Sequence, residues 1–258
     1  MAKPLIVTIL IISFAFISAN LIEVKKPETK EQLGEKLFFD PILSKDYSIS
    51  CASCHKPEFA FADNIAFSFG VDSAFTLRNT PSVMNVSAFS SFFWDGRAKT
   101  LEEQALMPIE HPGEMDLPIE EALQRLNSHK EYQKLFKKIF KSPATKENLG
   151  KAMAAFQLTL ETGKTPFDRW MDGDDNAMSA AAINGRKIFH EKAKCFDCHF
   201  GPDFTGDEVK NIGLFDGQDF NDKGRFVITN DSSDLGKFKT SGLRNIALTA
   251  PYMHNGMF

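Results

Sequence analysis

The sequence has no dominant charge: 30 Lys and Arg against 34 Asp and Glu lie interspersed, with a net charge of −4 and a pI of about 5.9. A basic nucleic-acid-binding face is therefore not expected, and no nucleic-acid partner is inferred. Low-complexity tracts are absent too, and with 43% hydrophobic residues the 258-residue chain has the composition of a globular protein with room for one large or two small cores. No apolar run reaches the ~20 residues of a spanning helix. The uncharged stretch from Leu5 to Ile17 follows Lys3 and ends at Ser18-Ala19-Asn20, which has the form of a secretory signal at 1–19 and implies export. Ile17 is a poor residue at the −3 position of the cleavage site, so an uncleaved membrane anchor is the alternative.

Cysteine is scarce. All four fall in two words, Cys51-Ala52-Ser53-Cys54-His55 and Cys195-Phe196-Asp197-Cys198-His199, and none is left for a disulfide. Two thiols spaced by two residues can reach the vinyl groups on one edge of a protoporphyrin, and the adjacent His is then held beneath the iron. The spacing thus predicts two covalently bound c-type haems, with His55 and His199 as proximal iron ligands. The alternatives are a redox dithiol, or one zinc site assembled from both pairs, which would be colourless. Two haems of one attachment type can still differ in sixth ligand and local dielectric. An enzyme needs one iron open, while the other can store or relay an electron.

Thr29 and Gln32 form a capping box for a helix carrying Leu33, Leu37 and Phe38, ended by Asp40-Pro41. From Ile42 to Asn85 no period is sustained, as for chain draped around a large apolar ligand. Thr100 and Glu103 cap a helix through Met107, and Pro118-Ile119-Glu120-Glu121 opens another. Helical patterns follow over Lys130 to Phe140 and Lys146 to Glu161, the second with Leu149, Met153, Phe156 and Leu160 on one face. Asp172 to Asn176 reads as a turn, and Ser179 to His190 as a helix. Gly34-Glu35-Lys36-Leu37-Phe38 and Gly185-Arg186-Lys187-Ile188-Phe189 each precede a Cys-x-x-Cys-His word, the pattern of two related units divided near Thr165.

Further words stand at telling distances: Arg78-Asn79-Thr80-Pro81-Ser82-Val83-Met84-Asn85, Phe93-Trp94-Asp95-Gly96-Arg97-Ala98, Leu101-Glu102-Glu103-Gln104-Ala105, Pro108-Ile109, Glu114-Met115, and Leu243-Arg244-Asn245 through Tyr252-Met253-His254-Asn255-Gly256. With the two cysteine words they resemble, in order and spacing from about Gly34 to the last residue, the bacterial di-haem cytochrome c peroxidases, whose relatives include the enzyme that matures methylamine dehydrogenase. The resemblance implies a mainly α protein of two cytochrome c-like haem domains with long irregular loops. Residues 20–165 would form the peroxidatic domain and 166–258 the electron-transfer domain. It further implies a periplasmic enzyme that reduces hydrogen peroxide to water with electrons from a small soluble cytochrome or copper protein. Trp94 would lie between the haems, and Glu114 would assist O–O cleavage, with Gln104 a further candidate for the same pocket. Asn79 and the backbone oxygens of Thr249 and Pro251 would hold one Ca²⁺. Homodimers are common in the family.

Two departures stand out. Many family members carry a His on the loop after the first haem word that ligates the resting iron; here the alignable residue is Val71, which cannot ligate, so an iron open without prior reduction is expected. Members also continue beyond the position of Phe258 into a final helix holding the distal ligand of the second haem, so a truncated C-terminal domain is expected, with Met253 or Met257 as substitute ligands. The competing functions are oxidation of a protein or small molecule, as in the maturation enzyme, and plain electron carriage with both irons six-coordinate.

Overall fold

The structure is a computed structural model that describes residues 26–258. The expected signal at 1–19 lies outside them, and among the described residues no helix is long and apolar enough to cross a membrane. The protein is mainly helical with very little sheet.

Helix α1 (Lys30–Phe39) starts where its cap requires. Thr29 Oγ1 accepts from the Gln32 amide at 3.3 Å, while Gln32 Oε1 reaches back to the amide of Glu28 at 2.8 Å rather than to that of Thr29. A single turn, α2 (Cys51–Cys54), carries the first cysteine word, and from 55 to 100 the chain runs in bends, short 3-10 turns and isolated bridges. The helix expected from Thr100 to Met107 is split into α3 (Leu101–Gln104) and α4 (Met107–Glu110), because Pro108 has no N–H to continue the ladder. Next come α5 (Ile119–Ser128), α6 (Lys130–Phe140) and α7 (Lys146–Gln157). Helix α7 ends four residues before the expected Glu161, and the Leu160 carbonyl turns to accept from the Asn85 amide at 2.9 Å.

The core forms where α1 and α7 cross. Leu33, Leu37 and Phe38 meet Leu149, Met153 and Phe156, and Ala122, Leu126, Leu135 and Phe136 close the far side. Gly34 makes this crossing possible, since a Cβ there would stand 1.9 Å from the Ala152 carbonyl oxygen. Among the described residues, the buried side chains of the hydrophobic core all lie between Leu33 and Phe156.

Beyond them, α8 (Pro166–Met171) was not foreseen from periodicity, yet its signal is local: Thr165 and Asp168 cap each other and Pro166 opens the first turn. Helix α9 (Ala180–Glu191) is opened by Ser179 as expected, but buries none of its residues, and a Cβ on Gly185 would meet open space. A short turn, α10 (Phe226–Thr229), lies between β1 (Val209–Lys210) and β2 (Phe238–Lys239), which pair antiparallel. The glycine-led echo thus has the same helix in both places with opposite burial.

Candidate functional site

Both cysteine words fold into one tight turn, α-helical at the first and 3-10 at the second, closed by the same hydrogen bond. The His55 amide donates to the Cys51 carbonyl at 2.8 Å, and the His199 amide to the Cys195 carbonyl at 2.9 Å. Each imidazole is then fixed from behind: His55 Nδ1 lies 3.1 Å from the Phe61 carbonyl and His199 Nδ1 2.9 Å from that of Phe204. A carbonyl only accepts, so each Nδ1 carries the proton and each Nε2 keeps its lone pair, the tautomer of an iron ligand. Burial holds the His55 pKa below its ordinary value and so keeps the ring neutral.

All four cysteines are free of disulfides. Burial pushes the Cys51 thiol up to about 12 and that of Cys54 to about 11, the reverse of the lowered thiol pKa of a redox dithiol. Among the described residues, no three His, Cys, Asp or Glu side chains gather to hold a metal ion, as the zinc alternative would need. Aromatic rings left 38–55% exposed flank each word, Phe69 and Phe75 beside Cys54 and Phe196 and Phe200 at the second. Such rings suit a large flat apolar ligand, and with the donor set they fit a covalently held haem at each word.

Beside the first word lies a cavity of about 280 Å³ lined by Phe93, Arg97, Met107, Pro108, Glu110, His111, Pro112 and Glu114. Glu114 sits on a loop tied at several points: its amide donates to the His111 carbonyl at 3.0 Å, and its carbonyl accepts from the Val71 amide at 2.8 Å. Burial raises the Glu114 pKa, opposed in part by the charges of His111 and Arg97. Arg97 is held over the Phe93 ring at 3.6 Å and on Asp95 at 2.9 Å. Val71 is buried, and the loop from 64 to 76 bears no His. Its neighbour Gly70 permits the close approach to the Glu114 loop, because a Cβ there would stand 2.2 Å from the Gly113 carbonyl oxygen. Gln104, at the end of α3, is not among the residues that line the cavity.

Trp94 joins two parts of the chain far apart in sequence. Its Nε1 donates to the Asn79 carbonyl at 2.8 Å, and its own carbonyl accepts from the Lys239 amide at 2.7 Å. Asn79 is buried, and its amide donates to the His254 carbonyl at 2.7 Å, which brings it to the segment following Thr249 and Pro251. In that segment Asn255 Oδ1 is buried without a hydrogen-bond partner.

Two arginines were missed as functional scaffolding, although a repeated word marks them. Leu77-Arg78-Asn79 and Leu243-Arg244-Asn245 each follow one Cys-x-x-Cys-His word. Arg78 bridges Asp95 and Asp222, each at 2.6 Å, and Arg244 bridges Asp168 and Asp203, each at 2.7 Å. The cavity residues Phe93 and Arg97 likewise stand in one word, Phe93 through Ala98, without a role of their own, and His111 stands in none.

A profile of the di-haem cytochrome c peroxidase family matches residues 28–176. The chain is 40% identical to methylamine utilization protein MauG of Methylorubrum extorquens over 229 residues, which cover 88% of this chain and 65% of that one. It is also 40% identical to cytochrome c551 peroxidase of Pseudomonas aeruginosa, covering 89% of this chain and 68% of that one. The chain therefore spans about two thirds of the length of these relatives. Among solved structures, a MauG-like protein associated with microbial copper homeostasis superposes with a TM-score of 0.82 at 32% identity, covering 90% of this chain and 74% of that one.

Proposed function

This chain belongs to the di-haem cytochrome c peroxidase family, and from that premise we propose that it reduces hydrogen peroxide to two waters, taking electrons from a small soluble cytochrome or copper protein. The observation that carries the reading is Glu114, whose carboxyl lines a partly enclosed cavity beside the first Cys-x-x-Cys-His word. A haem on Cys51, Cys54 and His55 would supply a redox-active iron there, and a second, on Cys195, Cys198 and His199, a store for the other electron.

The chain's own residues do the rest. His55 and His199 would hold the iron through Nε2, which is left free because the Phe61 and Phe204 carbonyls hold Nδ1–H. Glu114 accepts a proton from one peroxide oxygen and returns it to the other, turning a poor leaving group into water, and its raised pKa suits it to both halves of the transfer. Val71 offers no ligand, and its amide, donating to the Glu114 carbonyl, helps to hold the Glu114 loop in place. Trp94, hydrogen-bonded to residues 79 and 239, provides a polarisable ring between the two halves of the chain for electron passage. Asn79, with the Thr249 and Pro251 carbonyls and the unpaired Asn255 Oδ1 nearby, offers the oxygen ligands that suit one Ca²⁺. Two haem domains meeting near Thr165 and a periplasmic location complete the reading.

A second reading, oxidation of a protein or small-molecule substrate, is favoured by Val71 and by the relatives named MauG. Peroxide turnover by the Glu114→Gln variant tests the first. Loss of about 100-fold or more is expected from removal of an acid/base group. Unchanged turnover would refute the mechanism.

A further inference from the structure

Reduction of one peroxide consumes two electrons and two protons, H₂O₂ + 2e⁻ + 2H⁺ → 2H₂O. Glu114 moves a proton between the peroxide oxygens but supplies none in net terms, so both must enter from solvent. Few cavity groups can carry them. Phe93, Met107, Pro108 and Pro112 have no exchangeable proton on their side chains, and Arg97 keeps its own. Cys51 and Cys54, which also face Glu114, become thioethers once haem is attached. Glu110 is turned away, its Oε1 accepting from the Ile119 amide at 3.4 Å. His111 remains: its Nδ1 lies 3.5 Å from Glu114 Oε1, and its side chain is 40% exposed.

We propose that His111 relays protons from solvent to the Glu114 carboxylate, an inference that rests on the peroxidase reading. The local geometry gives Nδ1 two neighbours, the Gly113 amide and Glu114 Oε1. When neutral, His111 Nδ1 accepts from the Gly113 amide at 3.2 Å, so the ring proton is on Nε2. When the exposed ring takes a second proton from solvent at Nδ1, that N–H can no longer face Gly113 and turns to the carboxylate. After transfer to Glu114 Oε1 the neutral ring returns to Gly113, and one proton has moved inward. The Glu114 and Asp116 amides both donate to the His111 carbonyl, at 3.0 and 3.1 Å, so the backbone beneath the ring stays fixed. The other charged and titratable groups around the pair are Arg97, Cys51 and Cys54, with Glu110 lining the same cavity but bonded to the Ile119 amide.

The test uses the haem-loaded protein, its His111→Gln and His111→Gly variants, and two readouts. Peroxide turnover in the wild type is expected to fall along a limb as pH rises, because the relay needs the protonated ring. His111→Gln should lose this limb together with about tenfold of the neutral-pH rate, and added imidazole should restore part of it in His111→Gly. Infrared difference spectra of the resting protein, with the carboxyl band assigned by Glu114→Gln, should show Glu114 titrating at higher pH once the His111 cation is removed. A wild-type rate and limb in His111→Gln, with an unmoved Glu114 band, would overturn the relay and leave the peroxidase reading standing. A wild type that turns over no peroxide would overturn both.

Discussion

Arg244 clamps the chain at a point where few apolar contacts help, so replacing it with Met should be costly. Its guanidinium donates through Nη2 and Nη1 to Asp168 at 2.7 and 3.3 Å and through Nε to Asp203 at 2.7 Å, with the side chain 9% exposed. Removing one partner of a buried pair costs about 3–5 kcal/mol. Asp168 and Asp203 keep 20% and 16% of their side chains in water, which lowers the expectation for Arg244→Met to about 2–3 kcal/mol. At this chain length that is a fall in Tm of about 4–12 °C. The pH dependence has a definite sign. Arg244, and then Thr165, hold the Asp168 carboxyl well below the usual carboxylate range. Its contribution is therefore complete above the unfolded value of 3.8 and is lost as pH falls through the depressed folded value. Urea unfolding followed by circular dichroism should show the wild type and Arg244→Met far apart at pH 7 and converging as pH drops below about 4. Combined with Asp168→Asn, the loss should be sub-additive by about 1 kcal/mol or more. A gap below about 0.5 kcal/mol, or one that does not change with acidification, would refute the reasoning.

The two echo glycines should behave oppositely. Gly34→Ala places a methyl against the Ala152 carbonyl and should cost about 3 kcal/mol or more in thermal unfolding, whereas Gly185→Ala fills open space in a helix and should be neutral or stabilising by up to about 1 kcal/mol. Trp94→Phe removes the Nε1 bond to Asn79, a loss of about 1 kcal/mol in stability, but should slow electron exchange between the two haems in stopped-flow reduction. Unchanged exchange would place the path elsewhere.

Much of this was legible in the residues. Thr29, Thr100 and Ser179 cap helices as their spacing requires, because a cap is a local transaction between a side chain and an amide two or three residues away. Both Cys-x-x-Cys-His words close with the same bond from the His amide to the first Cys carbonyl for the same reason. What escaped was set by distant partners. The end of α7 depends on Asn85, the bridging of Arg78 on Asp222, and the exposure of α9 on what does not pack against it. Glu114 could be named from its motif, but the raised pKa and the neighbouring His111 need the loop's closure, which the Val71 amide helps to hold.

The most direct test is the electron-resonance and optical spectrum of the oxidised, haem-loaded protein, recorded before and after peroxide is added without prior reduction. The buried Val71, with no His on the loop from 64 to 76, leads us to expect a high-spin iron that reacts at once. Two low-spin irons, both inert to peroxide, would contradict an open site beside Glu114 and would favour simple electron carriage.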